Sequence, residues 1–179
     1  MKTLSYINFI MAALFVVCYC YQAVFAVVRL LGKRRVHTAQ KMCRYAVMIA
    51  ARNESAVIAQ LLESIRQQDY PKDLVDIYVV ADNCTDDTAA IAAAHGARVF
   101  ERQMQVGKGY ALRFLLEKIR DNYPQEHYDG YFVFDADNLL DPHYITEMNK
   151  VFSSGNRAVT GYRNTKNFGD NWITAGYGI

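Results

Sequence analysis

Hydrophobic and polar positions follow two periods along this chain, one helical and one strand-like, after an opening stretch that follows neither. Between Lys2 and Arg29 there is no charged residue, a gap of 26 positions. As a helix this run is roughly 39 Å long, enough to cross a hydrocarbon core of about 30 Å. The pattern predicts one transmembrane helix over residues 4–31, its apolar body supplied by Leu14, Phe15, Val16, Val17, Phe25, Val27 and Val28. From Tyr45 onward strand-like and helix-like runs alternate. Tyr45 to Ala51 reads as a buried strand, and Val57, Ile58, Leu61, Leu62 and Ile65 recur at helical spacing, with Asn53 as the expected N-cap. Val75 to Val80 is a second strand, followed by an alanine-rich helix that Thr85 caps, with Asp86 and Asp87 in its first turn. Ala97 to Phe100 is a short third strand. A helix from Gly109 to Asp121 then carries Ala111, Leu115 and Ile119 on one face. Tyr131 to Phe134 is expected to be a fully buried fourth strand, running into Asp135-Ala136-Asp137-Asn138. The next helix is expected to take Asp141 as cap and Pro142 as first residue and to bury Tyr144 or Ile145, Met148 and Phe152, with a possible fifth strand over 157–162.

This strand–helix alternation requires a mostly parallel sheet covered by helices on both faces. Strands winding outward as 3-2-1, with the fourth returning beside the first, would place a switch point between strands one and four. Four loops then meet at one mouth: Ala51–Ser55, Ala81–Thr85, Gln103–Gly109 and Asp135–Asn138.

Charge sharpens the organisation. The formal net charge is +2, yet residues 1–44 hold seven Lys/Arg and no acid, which leaves 13 Lys/Arg against 18 Asp/Glu, a net of −5, in residues 45–179. The basic residues form a collar (Arg29, Lys33, Arg34, Arg35, Lys41, Arg44) that faces anionic lipid and offers no case for a nucleic-acid partner. A cleaved signal peptide is the rival reading, with Val24-Phe25-Ala26 as a cleavage site. The apolar stretch is too long for it, Lys2 alone forms the n-region, and a stop-transfer cluster follows. The positive-inside rule then puts the soluble domain in the cytoplasm, and the expected location is a bacterial plasma membrane. Two regions result: 1–40, the helix and collar, and 41–179, the soluble domain. Cys18 and Cys20 lie in the membrane helix, and Cys43 and Cys84 have neither zinc-site nor disulfide-framework spacing.

The mouth loops carry the candidate chemistry. Asp135 and Asp137, two apart at a strand end, can coordinate a hard cation through oxygen and leave positions for phosphate oxygens. The plainer alternative, capping of the next helix, suits Asp141 better. A calcium loop fails because Leu139 and Leu140 stand where a ligand and the turn glycine are required. Asp82 ends the second strand and either accepts a hydrogen bond from a base or ribose or is an ordinary turn residue. Capping explains Asn53, but not the charged pair Arg52 and Glu54 around it. Gly107-Lys108-Gly109 puts a cation at a helix start, where a diphosphate fits; the alternative is a solvated lysine in a hinge. It is no Walker A loop, since Arg102 takes the first glycine's place and Gly109 follows the lysine. Ala50 to Ser55 lacks the Gly-x-Gly-x-x-Gly of dinucleotide-binding dehydrogenases. A phosphatase with paired aspartates would carry them after its first strand.

Four motifs in order, Ala50-Ala51-Arg52-Asn53-Glu54, Val80 to Asp86, Gly107-Lys108-Gly109-Tyr110-Ala111-Leu112 and Phe134-Asp135-Ala136-Asp137, resemble those of family-2 inverting glycosyltransferases. That group has the GT-A fold, an α/β Rossmann-like nucleotide-diphospho-sugar transferase architecture, and includes bacterial polysaccharide, cellulose and hyaluronan synthases. The resemblance runs from about Tyr45 to Ile179. It implies that Asp82 binds the uracil or other base, that Ala51 (through its backbone), Asn53 and Glu54 hold the nucleoside, and that Lys108 lies near the phosphates. It further implies that Asp135 contacts ribose or sugar and that Asp137 ligates Mg2+ or Mn2+ on the diphosphate.

Two residues depart from the family pattern: Arg52 replaces a frequent tyrosine, removing a ring that would stack on the base, and Arg113 stands where Asn is common. The family's Thr-Glu-Asp-like base motif and Gln-x-x-Arg-Trp are not met before Ile179, although Thr165 to Trp172 resembles the family's middle. The expectation is a donor-binding half, with the catalytic base beyond residue 179 and no turnover from this stretch alone. The implied function is metal-dependent transfer of a sugar from a nucleotide-sugar donor, UDP-linked, to a glycan or lipid acceptor with inversion. The alternative is an inactive sugar-nucleotide-binding or scaffold subunit of a membrane glycan-synthesis complex.

Overall fold

Four short β-branched and aromatic runs separated by helices can bury both faces only as a parallel sheet, and that is what forms. The computed structural model describes residues 2–31, 37–104 and 107–162. Gln105, Val106, the collar residues Lys33, Arg34 and Arg35, and the Thr165 to Trp172 segment lie outside them. The first unit is α1 (Lys2–Leu31), whose large side chains, such as Phe9, Phe15 and Phe25, are exposed along its length. By length and composition this helix can span a membrane.

The second unit begins at His37. It contains β1 (Tyr45–Ala51), α2 (Ile58–Arg66), a 3-10 turn (Lys72–Leu74), β2 (Val75–Asp82), α3 (Thr88–Ala94), β3 (Arg98–Arg102), α4 (Lys108–Asn122), β4 (Gly130–Asp135) and α5 (Tyr144–Ser153). The sheet order is β3-β2-β1-β4, all parallel, the winding considered above, and its switch point lies between β1 and β4. Register brings Ala51 opposite Ala81, Ala50 opposite Asp135, and Asp82 opposite Arg102. The carboxyl ends of all four strands are therefore nearly level.

Alternation along β1 splits the core in two. Val47, Ile49 and Ala51 pack with Val79 and Phe134 against Ile58, Leu61, Leu62 and Ile65 of α2. On the opposite face Ala46, Met48, Tyr78 and Val80 meet Ala111, Leu115 and Ile119 of α4. Each of the larger side chains contributes roughly 1.5–3 kcal/mol by leaving water.

Several local expectations are corrected. Strand β4 is not fully buried: Phe134 is 6% exposed, but Tyr131 and Val133 on the α4 face are 50% and 47% exposed. Helix α4 lies over β1 and β2 and leaves the same face of β4 half exposed. Residues 157–162 form no strand. They stand off the edge of β4, and Val159 faces Phe132 and Met148 across a cavity of about 670 Å3 instead of joining the ladder. Pro142 is not the first residue of α5. Asp141 closes a turn before the helix, its Oδ1 accepting from His143 N at 2.9 Å and its carbonyl from Tyr144 N at 2.9 Å. Helix α5 buries Ile145 and Asn149, whereas Met148 and Phe152 are half-buried.

Candidate functional site

Parallel strands expose their last residues and the loops that follow at one end of the sheet, and here those loops are tied to one another. Asn53 does not cap α2. It adopts a left-handed backbone (φ 53°), and α2 begins only at Ile58. In that conformation the Asn53 Oδ1 accepts from Thr85 N at 2.8 Å, joining the loop after β1 to the loop after β2. Cys84 reinforces the joint: its thiol lies 3.5 Å from the carbonyl of Ala51 and its sulfur 3.5 Å from Asn53 N. Thr85 does not cap α3 either, which starts at Thr88. Asp86 takes over, its Oδ1 accepting from Thr88 N at 3.1 Å and from the Thr88 hydroxyl at 2.5 Å. Its Oδ2 accepts from Ser55 N at 3.1 Å, and Thr88 Oγ1 accepts from Glu54 N at 2.9 Å.

Hydrogen bonding by Thr88, then by Ser55, holds the Asp86 carboxyl down at about 2, against an ordinary 3.8. The folded value lies below the unfolded one, so the stabilisation is complete above about pH 4 and is lost as the pH falls through 2. Thermal unfolding followed from pH 5 to pH 2 should therefore show a steeper acid loss in the wild type than in Asp86→Asn. Equal slopes would mean that this carboxylate does not hold the two loops.

Asp82, the last residue of β2, is 7% exposed. The last residue of β3 meets it: Arg102 Nε donates to Asp82 Oδ1 at 2.9 Å and Nη2 to Oδ2 at 3.1 Å, a bidentate pair with both side chains largely buried. The expected third strand ended at Phe100. Its extension by two residues is what brings Arg102 into place.

On the other side of β1, Asp135 ends β4. A turn over 135–138 follows, with Asn138 N donating to the Asp135 carbonyl at 3.0 Å and Asp135 N to Asn138 Oδ1 at 3.2 Å. Gly107 (φ 95°), a conformation open to glycine and strained for other residues, opens α4. Lys108 in the helix's first position forms an ion pair with Asp135. Asp137 is exposed; its Oδ1 accepts a 3.3 Å bond from Asn138 Nδ2, and it stands at the rim of a cavity of about 790 Å3 whose lining includes Phe134, Tyr144 and Val159. That is within the volume range of small-molecule sites.

The donor set around Asp135 and Asp137 fits a hard divalent cation shared with a phosphate ligand. Two carboxylates would supply oxygen ligands, Asp137 is open to solvent, and a cation of this class fills its other positions with phosphate or water oxygens. Among the described residues no group of three or more His, Cys, Asp and Glu side chains could hold a metal ion by itself.

The structure thus brings Ala51, Asn53, Glu54 and Asp82 to one side of the mouth and Lys108, Asp135 and Asp137 to the other. Asp82 and Asp135 lie on strands flanking β1, which are about 10 Å apart at two strand spacings, and the two residues are offset by two positions along them. Arg102 and Asp86 are the residues bracing this mouth whose contacts sequence reasoning passed over. The available signal was an arginine ending the strand beside the one that Asp82 ends.

Comparison with known proteins identifies the family and the fold. Residues 43–178 match the family model described as "Glycosyltransferase like family 2". The chain is 30% identical over 105 residues to the probable glycosyltransferase YdaM of Bacillus subtilis, covering 55% of this chain and 24% of that protein. It is 46% identical over 55 residues to 4,4'-diaponeurosporenoate glycosyltransferase of Staphylococcus aureus, covering 31% of this chain and 14% of that one. Its fold resembles mannosyltransferase PcManGT from Pyrobaculum calidifontis, solved with GDP-Man and Mn2+, at a TM-score of 0.67 and 22% identity, covering 89% of this chain and 48% of that one. The chain therefore spans less than half the length of these relatives.

Proposed function

This chain belongs to glycosyltransferase family 2, and from that membership we propose that it binds a nucleotide-sugar donor, UDP-linked, for inverting transfer to a glycan or lipid acceptor. The observation that supports the reading is the level ending of β2, β1 and β4, with Asp82 on one side and Asp135, Asp137 and Lys108 on the other. A nucleoside diphosphate has the matching polarity, hydrogen-bond donors on its base and negative charge at its other end.

Asp82 accepts an N–H from the base, and the Ala51 backbone, Asn53 and Glu54 frame the nucleoside. Lys108, at the amino terminus of α4, faces the diphosphate, where both its charge and the helix dipole favour an anion. Asp135 contacts ribose or sugar; on donor binding its partner Lys108 moves to the phosphates. Asp137, with Asp135 beside it, holds the divalent cation. Bound Mg2+ or Mn2+ supplies neutralisation of charge on the departing nucleoside diphosphate. The Mn2+ and GDP-Man in the Pyrobaculum calidifontis mannosyltransferase support this class of ligand and cofactor. Proton removal from the acceptor hydroxyl is assigned to none of these residues.

Helix α1 anchors the domain in the membrane, and the basic residues after it favour a cytoplasmic face. A bacterial plasma membrane and a membrane-borne glycan or lipid acceptor complete the proposal.

Calorimetric titration of UDP into the whole chain in detergent tests the reading. With Mn2+ present binding is expected to be at least about tenfold tighter than with EDTA, a difference of roughly 1.4 kcal/mol. UDP affinity indifferent to chelation would remove the metal from the proposal.

A further inference from the structure

The ion pair between Asp82 and Arg102 has no evident purpose in stability. A buried pair gains in mutual attraction about what it loses in desolvation, and well-packed apolar residues would serve equally well. Yet this pair lies at the mouth of the sheet, and Arg102 is fixed from three directions. Its two N–H groups hold both oxygens of Asp82 at 2.9 and 3.1 Å. Its carbonyl accepts from Asn83 N at 2.6 Å, just where Asn83 turns the chain with φ 55°. Its guanidinium carbon lies 5.9 Å from the centre of the Phe114 ring.

We infer that Arg102 is a positioning residue that sets the base selectivity of the donor site, by fixing the Asp82 carboxylate to accept a ring N–H from the base. This rests on the reading of Asp82 as the base contact. A carboxylate paired with a guanidinium offers acceptors and no donor. Its remaining acceptor capacity suits a base whose ring nitrogen carries hydrogen between two carbonyl-like groups, as uracil does at N3. It repels cytosine, whose equivalent nitrogen is itself an acceptor. Held on two bonds, the carboxylate cannot rotate to relieve that mismatch.

The test is a pair of calorimetric titrations, UDP and CDP with Mn2+, on the whole chain in detergent. Wild type is expected to favour UDP by about tenfold or more, the scale of one hydrogen bond to a charged group. Arg102→Lys keeps the charge but loses the bidentate hold, and should lower the UDP:CDP ratio to about threefold or less. Inorganic pyrophosphate should still bind within about twofold of wild type, as a general loss of structure would not allow. If that variant does not fold, Phe114→Leu, which loosens the guanidinium and keeps both charges, carries the same prediction with a smaller fall in the ratio. A wild-type ratio in the folded Arg102 variant, with Asp82→Asn collapsing it, makes Arg102 a structural brace and overturns this inference alone. A wild-type ratio in Asp82→Asn as well overturns the base contact and the inference together.

Discussion

Asp137→Ala is expected to remove the Mn2+-dependent part of UDP binding and to weaken UDP affinity in Mn2+ by about tenfold or more. A carboxylate ligand to a Lewis-acidic cation governs several kcal/mol of charge stabilisation, and each 1.4 kcal/mol is a factor of ten. The substitution is clean because Asp137 is exposed and, among the described residues, accepts only a 3.3 Å bond from Asn138. Surface changes of this kind shift stability by about 0.5 kcal/mol or less, so a loss of binding cannot be ascribed to unfolding. Asp135 differs in this respect, since its ion pair with Lys108 changes with it. UDP isotherms with and without Mn2+, read beside the melting temperature, give the result directly. Unchanged metal-dependent binding in Asp137→Ala would exclude this carboxylate as the cation's ligand.

The second large effect concerns stability and lies at the opposite end of the sheet. Asn149 in α5 is 1% exposed, and its Oδ1 accepts from Tyr45 OH at 2.8 Å and from Cys43 N at 3.3 Å. Its Nδ2 donates to the Lys41 carbonyl at 2.9 Å. The Tyr70 hydroxyl lies 3.2 Å from the same Oδ1 and donates to the Cys43 carbonyl at 2.7 Å. Burial pushes the hydroxyl of Tyr45 well up and that of Tyr70 to about 12, so both remain protonated donors through the neutral range. Asn149→Leu keeps the side-chain size but strands the Cys43 N–H, the Tyr45 hydroxyl and the Lys41 carbonyl. At roughly 1–3 kcal/mol for each stranded buried group, the expected loss is about 3 kcal/mol or more. For a domain of this size that is on the order of 10 °C in melting temperature. Combining Asn149→Leu with Tyr45→Phe should cost less than the sum of the two, because the phenylalanine removes one stranded donor. A melting temperature within about 2 °C of wild type in Asn149→Leu would show that the network carries no such weight. The first strand, whose far end forms the floor of the candidate site, is anchored here.

The two ends of the sheet differ in how far they can be read from residues alone. Asp135 and Asp137 announce themselves because an apolar run delivers two acids to a strand end, where charge is not needed for folding. Asn149 is invisible by the same logic. On a helical wheel it is one polar residue between Met148 and Lys150, and its partners Cys43 and Lys41 stand 106 and 108 residues away. Asn53 misleads in a third way. Asparagine before a helical pattern is a good capping residue, but it is also among the few residues that tolerate a left-handed backbone, and the link to Thr85 uses the second property.

What the sequence determined by itself is the order of the elements and the parallel sheet; the 3-2-1-4 winding was one arrangement it allowed, and the structure adopts it. Hydrophobic periodicity is a local property, and the constraint on parallel crossovers leaves few ways to connect such strands. Only the tertiary structure decided which polar groups meet. It paired Asp82 with Arg102, joined Asp86 to Ser55 and Thr88, placed Lys108 on Asp135, and left the α4 face of β4 half exposed. The reason is the range of the forces. A hydrogen bond between residues 20 or 31 positions apart depends on strand register and loop conformation to within an ångström. Apolar patterning specifies the face on which a residue lies, but not the atom it touches.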